Sequence, residues 1–193
     1  KAAQIVHEEG IGFPILLGDK EVILELKSEI GFDADVVIID PKVGEEERRN
    51  RFASSFWKTR QRRGISLLDA QKLMRERNYF AAMMVNEGEA DALVSGHSRS
   101  YPSVVKPMLQ LIEKAPGASL VATTNMMLTA RGPMFLSDTA ININPSADDL
   151  AKIAIMTANS ARMFGIEPVI AMVSFSNFGS STNEGAGKVR EAV

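Results

Sequence analysis

The loop that follows the apolar segment 79–94 contains the residue types that bind anions. Hydroxyls, a glycine backbone and one arginine are neighbours in the sequence Ser95-Gly96-His97-Ser98-Arg99-Ser100. Lys106 follows about a turn inside the next predicted helix. Amides and hydroxyls between the end of a strand and the start of a helix commonly bind phosphate groups. The spacing therefore predicts a site for a phosphate-bearing ligand, formed by Ser95, Gly96, Ser98, Ser100 and Lys106.

A second set of hydroxyl and glycine residues occurs near the end of the chain. Ser174, Ser176, Gly179 and Ser180 follow an apolar strand pattern and precede the helical pattern that begins at Glu184. A phosphate group is again the ligand that such a helix start accepts. We therefore predict that Ser174, Ser176, Gly179 and Ser180 also contact a phosphate-bearing ligand.

Three further residues were considered as functional groups, each against a structural alternative. Arg60 ends a helical pattern, where it is either a solvated cation at the negative end of the helix dipole or a fork that holds two phosphate oxygens. His97 has no evident carboxylate partner and is interpreted as a loop residue rather than an acid or base. Asp138 ends an apolar strand pattern, where it is either a turn former or part of a polar set in a ligand cleft.

Short apolar runs alternate with longer helical patterns along the chain. Such alternation is typical of a parallel sheet covered by helices, so we predict a three-layer α/β/α fold. The predicted strands are residues 14–17, 36–40, 92–95, 120–126, 134–138 and 169–175. The predicted helices are residues 20–30, 45–63, 67–77, 79–86, 104–115, 147–164 and 184–193. Ser66 with Asp69 and Ser146 with Asp149 have the spacing of capping boxes, which marks two helix starts.

Proline and glycine pairs suggest where the chain divides. Pro116-Gly117 and Gly132-Pro133 flank the apolar run 120–127, and such pairs mark turns and loops. We predict a first α/β lobe over residues 1–127 and the start of a second lobe over residues 128–193. The final helical pattern reaches Val193 without a glycine or proline stop, so the second lobe is expected to be incomplete.

Composition narrows the class of protein. A chain of 193 residues with 45% hydrophobic residues can bury a substantial core. A net charge of −2 argues against a duplex nucleic-acid binder. There is no cysteine, which excludes disulfides and thiolate metal sites and agrees with a reducing compartment. We find no export signal, membrane-spanning run or metal-ligand cluster, and we expect a cytoplasmic protein.

Four segments together resemble the phosphate acetyltransferase (phosphotransacetylase) family. They are residues 8–18, residues 79–107, Phe135-Leu136-Ser137-Asp138-Thr139-Ala140 and the run from Ala171 to Ser180. The resemblance implies an isocitrate/isopropylmalate dehydrogenase-like fold of two lobes with a cleft between them. It also implies an acyl-CoA or phosphate ligand, a role for Arg60 in holding the anionic substrate, and a homodimer or higher homo-oligomer.

The sequence differs from the pattern of the active family members in one residue, one residue pair and one turn, and it lacks one of their segments. Lys106 stands before Pro107 where active members carry arginine, and lysine keeps the charge but lacks the bidentate fork. The alternative is a surface lysine whose stem packs on the protein while its charge stays in water. Tyr101-Pro102 replaces small hydroxyl residues, and the turn 129–132 is short. The Ser-Arg-Gly segment and the downstream aspartate of active members would lie beyond Val193.

These differences favour one function while leaving others open. The chain is similar to the C-terminal phosphotransacetylase-like domain of hybrid NADP-dependent malic enzymes, which implies a regulatory domain that binds CoA or acetyl-CoA. NADP and a divalent metal are then expected only in a malic enzyme domain upstream on the same chain. The alternatives are a fragment of an active phosphate acetyltransferase and, with less support, a scaffold with an empty cleft. Fold resemblance alone does not separate them.

Overall fold

The computed structural model describes residues 1–96, 98–177 and 179–193, and in it the chain divides into two units. The first unit is Lys1–Glu113 and the second is Lys114–Val193. The division predicted between residues 127 and 128 falls inside strand β3, Thr124–Thr129. Because β3 is hydrogen-bonded along its length to the next strand, the hairpin remains within the second unit.

The first unit combines six helices with one pair of parallel strands among the described residues. The helices are α1 (Ala2–Glu8), α2 (Lys20–Glu29), α3 (Glu46–Arg60), α4 (Leu67–Leu73), α5 (Arg77–Asn86) and α6 (Tyr101–Leu111). Strands β1 (Ile15–Leu17) and β2 (Val37–Ile39) pair in parallel, with Ile15 opposite Val37. A 3-10 turn over Gln61–Arg63 follows α3.

The second unit contains a β-hairpin and two helices among its described residues. The hairpin consists of β3 and β4 (Gly132–Ser137), which are antiparallel, and the helices are α7 (Ala147–Met163) and α8 (Glu184–Ala192). Gly132 closes the tight turn with a φ of +109°, a conformation that glycine adopts without a steric penalty. No described helix in either unit has both the length and the apolar character that a bilayer span requires.

Both predicted capping boxes are confirmed. Ser66 Oγ accepts from the amide of Asp69 at 3.1 Å, and the Asp69 carboxylate accepts from the Ser66 amide at 3.2 Å. Ser146 and Asp149 form the same reciprocal pair at 3.1 and 3.0 Å. These contacts join residues three apart, so the local sequence is sufficient to form them.

The sheet prediction needs three corrections. Residues 92–95 and 169–175 form no strand, although both runs are apolar. Val94 and Val169 are 97% and 99% exposed, and no described strand pairs with these runs. The parallel arrangement is wrong for β3 and β4, because a two-residue turn after Thr129 reverses the chain and makes the pair antiparallel. Helix α1 was not predicted at all.

Aromatic and methionine side chains form the core of the first unit. Phe52 and Phe56 from α3, Phe80 and Met83 from α5, and Met74 next to α4 are almost completely buried. The Phe52 and Phe80 rings meet edge to face, with centroids 5.2 Å apart. Helix α5 is therefore held between its neighbours, which fixes the residues at its start.

Removing the Phe80 ring tests this core. We expect Phe80→Ala to lower the free energy of unfolding by about 3–5 kcal/mol, because it leaves a cavity beside Phe52. Leu68→Ala is the control, since Leu68 is 69% exposed and its loss should cost less than about 0.5 kcal/mol. Denaturant unfolding of both variants measures the difference. Equal losses would show that α5 is not part of the core.

Candidate functional site

The predicted anion-binding residues Ser95, Gly96, Ser98 and Ser100 belong to one exposed loop ahead of α6. Gly96 has a φ of +139°, and the amide of Ser98 donates to its carbonyl at 2.7 Å. The Ser100 carbonyl accepts from the Ser103 amide at 3.0 Å, while the Ser100 hydroxyl forms no capping bond. His97, interpreted above as a loop residue, lies outside the described residues. Ser98 and Ser100 are therefore exposed to solvent at the start of a helix.

The first turn of α6 offers fewer amides than most helix starts. Tyr101 is its first residue and Pro102 its second, and proline has no N–H to donate. The Ser103 amide is already bonded to Ser100. An anion at this end of α6 must therefore depend on the loop and on side-chain cations more than on the helix itself.

Lys106 lies on α6 and is exposed. It forms no ion pair within the described part of the chain. The lysine is about 9 Å along the helix axis from Ser100, at 1.5 Å per residue. Its flexible stem can cover part of this distance. Lys106 therefore remains available to a ligand bound at the loop.

Arg60 contacts the opposite end of the same helix. Its Nε donates to the Gln110 carbonyl at 2.9 Å, and its Nη2 donates to that carbonyl at 2.5 Å and to the Leu109 carbonyl at 3.3 Å. A helix of 11 residues is about 16 Å long, so this guanidinium is separated from Ser100 by the length of α6. The structure gives Arg60 the role of a C-terminal cap, and the substrate role stays a prediction.

Tyr79 supports the same end of α6. Its hydroxyl donates to the Gln110 side-chain oxygen at 2.7 Å. Burial raises the pKa of the Tyr79 hydroxyl above its ordinary value of 10.0, and the Arg60 charge reduces this rise. The hydroxyl is therefore protonated, and able to donate, throughout the physiological pH range.

Asn78 was missed by the sequence analysis. Its side-chain oxygen accepts from the Ser95 hydroxyl at 2.7 Å, and its side-chain nitrogen donates to the Ser103 carbonyl at 3.1 Å. The one available signal was Pro107, which cannot donate to the carbonyl four residues before it. Pro107 therefore indicates that the Ser103 carbonyl lacks its usual donor, but it does not indicate that Asn78 supplies one.

Asp138 is held by donors from its own unit. Its carboxylate accepts from the amide and hydroxyl of Thr123 at 2.9 and 2.5 Å, and from the amide and side chain of Asn142 at 2.7 and 2.5 Å. Burial acts to raise the pKa of this carboxyl group, but these hydrogen bonds outweigh it and hold the pKa well below the ordinary 3.8. The arrangement agrees with the turn-forming interpretation.

A hollow of about 240 Å³ is lined by residues 138–143.

The second predicted set of residues is largely occupied by local contacts. Ser174 Oγ accepts from the Ser176 amide at 3.2 Å, and Ser176 Oγ accepts from the Ser181 amide at 3.1 Å. The Ser180 amide donates to the Asn177 carbonyl at 3.0 Å, and Gly179 has a φ of +74°. The four predicted residues do lie together in one loop before α8. However, some of the amides that a phosphate group would contact already donate to groups within this loop.

No geometry for a metal ion was found in the described ranges. Groups of three or more histidine, cysteine, aspartate and glutamate side chains close enough to share an ion are absent from them. A hollow of about 390 Å³ in the first unit lies between α3 and α4 and is lined mainly by polar side chains, which include Arg49, Lys72 and Arg75. It is separate from the predicted site residues.

The whole chain resembles known acyl transferases. Residues 1–193 match the family model described as phosphate acetyl/butaryl transferase. The phosphate acetyltransferase of Thermoanaerobacterium thermosaccharolyticum is 37% identical over 200 residues, covering 100% of this chain and 60% of that protein. The phosphate acetyltransferase of Escherichia coli is 37% identical over 195 residues, covering 100% of this chain and 27% of that protein.

Solved structures show the same relationship. The crystal structure of a phosphotransacetylase from Streptococcus pyogenes has a TM-score of 0.85 at 38% identity, covering 99% of this chain and 58% of that one. The fold is thus the mixed α/β fold of phosphotransacetylases. The chain spans 60% or less of each of these relatives.

Replacing Arg60 distinguishes a cap from a solvent-exposed cation. We expect Arg60→Ala to lower the free energy of unfolding by about 1–3 kcal/mol, because charged hydrogen bonds to the end of α6 are lost. The neighbouring Arg62 is exposed and its side chain makes no hydrogen bond to a described residue, so Arg62→Ala is the matched control. Denaturant unfolding compares the two. Equal stability would leave Arg60 without a structural role.

The Asp138 contacts predict an acid dependence of stability. The pKa of Asp138 is lowered by folding, so its contribution is complete above pH 4 and is lost as pH falls from about 4 toward the folded value. We expect Asp138→Asn to cost about 1–3 kcal/mol at pH 7, because a charged acceptor is removed. The difference from wild type should shrink below pH 4.

Unfolding midpoints measured from pH 2 to pH 7 test this dependence. Glu191→Gln makes the same change of charge in the second unit at an exposed position, and it should shift stability by less than about 0.5 kcal/mol. A cost for Asp138→Asn that stays constant from pH 7 to pH 2 would contradict the role given to its carboxylate.

Proposed function

The chain belongs to the phosphate acetyl/butaryl transferase family, and on that premise we propose that it is part of an enzyme that exchanges phosphate and CoA on an acetyl group. The observation that carries the proposal is the match over residues 1–193 to relatives named phosphate acetyltransferases at 37% identity. Because the chain spans 60% or less of those relatives, the activity is proposed for the whole protein that contains it.

The proposed reaction joins acetyl phosphate and CoA. The CoA sulfur attacks the acetyl carbonyl carbon, the bond from that carbon to the phosphate oxygen breaks, and phosphate leaves with the electron pair. The thiol must first give its proton to solvent or to a base, because a free thiol has a pKa near 8.5 and the thiolate is the nucleophile. Lys106 and the loop residues Ser95, Gly96, Ser98 and Ser100 are proposed to hold the phosphate group.

The other predicted site residues have narrower proposed roles. Arg60 can offer the fork formed by its Nε and Nη2 to an anionic substrate only if it releases the carbonyls of Leu109 and Gln110. Ser174, Ser176, Gly179 and Ser180 are proposed to contact the CoA portion through hydroxyls and amides that remain open. Asp138 is proposed to shape the loop 138–143 and not to contact the reacting atoms.

A second candidate function is regulatory. Lys106 in place of arginine retains the charge but not the bidentate geometry, and Pro102 removes an amide from the start of α6. Both changes impair the orientation of a bound phosphate group more than its binding. Such a site suits a domain that senses acetyl-CoA within an NADP-dependent malic enzyme. NADP and a divalent metal would then belong to an upstream malic enzyme domain.

The family also supports proposals for the assembly. A three-layer, two-lobed arrangement like that of isocitrate and isopropylmalate dehydrogenases, a cytoplasmic location and a homodimer or higher homo-oligomer are proposed for the whole protein. We propose CoA or acetyl-CoA as the only cofactor-like ligand of this chain, with no nucleic-acid or membrane partner.

Assaying the full-length protein separates the two functions. We expect acetyl-CoA to form from acetyl phosphate and CoA, and Lys106→Ala to lower kcat/KM about a hundredfold, the usual effect of losing a group that stabilises developing charge. Lys106→Arg should retain or raise the rate, because it restores the fork. Lys58→Ala is the matched control, since Lys58 is an exposed lysine on α3.

Two results would change this conclusion. Absence of acetyl transfer in the wild type, together with NADP reduction from malate that responds to acetyl-CoA, would favour the regulatory function. Wild-type rates in Lys106→Ala would remove the lysine from the site while leaving the family assignment intact.

A further inference from the structure

Pro107 interrupts the hydrogen-bond ladder of α6. In an α-helix the amide of residue 107 would donate to the carbonyl of residue 103, but proline has no N–H. Pro107 is almost completely buried inside the helix. The Ser103 carbonyl therefore has no donor four residues on within α6, and because Ser103 is exposed its partner is either solvent or a side chain from another element.

Asn78 supplies that partner and has a second contact. Its side-chain nitrogen donates to the Ser103 carbonyl at 3.1 Å. Its side-chain oxygen accepts from the Ser95 hydroxyl at 2.7 Å. The contact with Ser103 determines the amide orientation, because a flipped amide would place oxygen against the Ser103 carbonyl, whereas the Ser95 hydroxyl can either donate or accept. One side chain thus joins the loop before α6 to the break within α6.

The position of Asn78 is itself rigid. It is the second residue of α5, directly before Tyr79 and Phe80, which are 7% and 0% exposed. Tyr79 is bonded to Gln110 near the end of α6. The backbone of Asn78 is thereby anchored to the core and to α6, so its side chain can act as a fixed reference for more exposed groups.

We propose that Asn78 is a positioning residue that holds Ser95 and the Lys106 segment of α6 in register, so that both sides of the anion site are set before a ligand binds. The identity of the ligand rests on the proposed function. Ser95 contributes from the loop side, and Lys106 lies beside Pro107 on the helix side. A shift of one side relative to the other weakens ligand binding without removing either group, because hydrogen bonds weaken steeply when their distances and angles change.

The chemistry of the two contacts requires an amide of this length. Aspartate retains an acceptor for Ser95 but places a negative oxygen against the Ser103 carbonyl. Alanine reaches neither partner, and glutamine is longer by one methylene group. Asn78→Asp is therefore the most informative variant, since it has nearly the same shape and reverses one contact.

Nuclear magnetic resonance of the ligand-free protein tests the register directly. We expect Asn78→Asp to shift the backbone amide resonances of both Ser95 and Lys106. Asn86→Asp makes the same substitution at the exposed end of α5 and should leave both unchanged. Shifts confined to one segment, or absent from both, would overturn the proposal.

Calorimetry with coenzyme A, on the full-length protein, tests the consequence for the site. Asn78→Asp should weaken CoA binding about tenfold, and Ser95→Ala, which removes the hydroxyl that bonds Asn78, about threefold. In a Lys106→Ala background, Asn78→Asp should add less than a threefold loss, because the two residues act on one contact.

The outcomes separate this proposal from the proposed function. If the wild type does not bind CoA, the proposed function fails, and the resonance shifts alone decide whether Asn78 sets the register. If Asn78→Asp binds CoA as tightly as the wild type while unfolding more easily, Asn78 is only structural and the proposal is wrong. Should Asn78→Asp not fold, Ser95→Ala decides in its place, and an unchanged CoA affinity and unshifted Lys106 resonance would reject the proposal.

Discussion

Helix α6 depends on side chains from two other helices that donate to its carbonyl groups. Arg60 of α3 bonds the carbonyls of Leu109 and Gln110, and Asn78 of α5 bonds the carbonyl of Ser103. Helix ends and proline breaks leave carbonyls unpaired, and each must find a donor. The positions of α3, α5 and α6 are therefore coupled by directional bonds in addition to the packing of Phe52, Phe56 and Phe80.

This coupling assigns different tasks to the cations near the candidate site. Arg60 is engaged with backbone oxygens at one end of α6, whereas Lys106 is exposed toward solvent. Hydrogen bonds to a charged donor contribute about 1.5–3 kcal/mol. A substrate that took over the Nε and Nη2 groups of Arg60 would have to form stronger bonds than the α6 carbonyls do. A lysine without such partners binds an anion at lower cost. The lysine is therefore the stronger candidate for contact with phosphate in the conformation described.

Polar residues in the second unit mainly stabilise their own loops. Asp138 accepts from Thr123 and Asn142, which closes the segment after β4. The hydroxyls of Ser174 and Ser176 accept from amides in the same loop. Asparagine, serine and aspartate are favoured in such loops because they can bond to a nearby backbone. Motifs that resemble ligand-binding segments can thus owe part of their composition to loop geometry.

The sequence by itself determined the features that depend on neighbours close along the chain. The starts of α4 and α7 were predicted correctly because their capping boxes join residues three apart, and most helices followed from their periodicity. The loop at Ser95–Ser100 and the family were also identified from sequence motifs. Tertiary structure decided where Arg60 points and what satisfies Ser103, because those contacts link residues 50 and 25 positions apart. It also decided which apolar runs become strands, since a strand requires a partner to receive its backbone hydrogen bonds and residues 169–175 have none among the described residues.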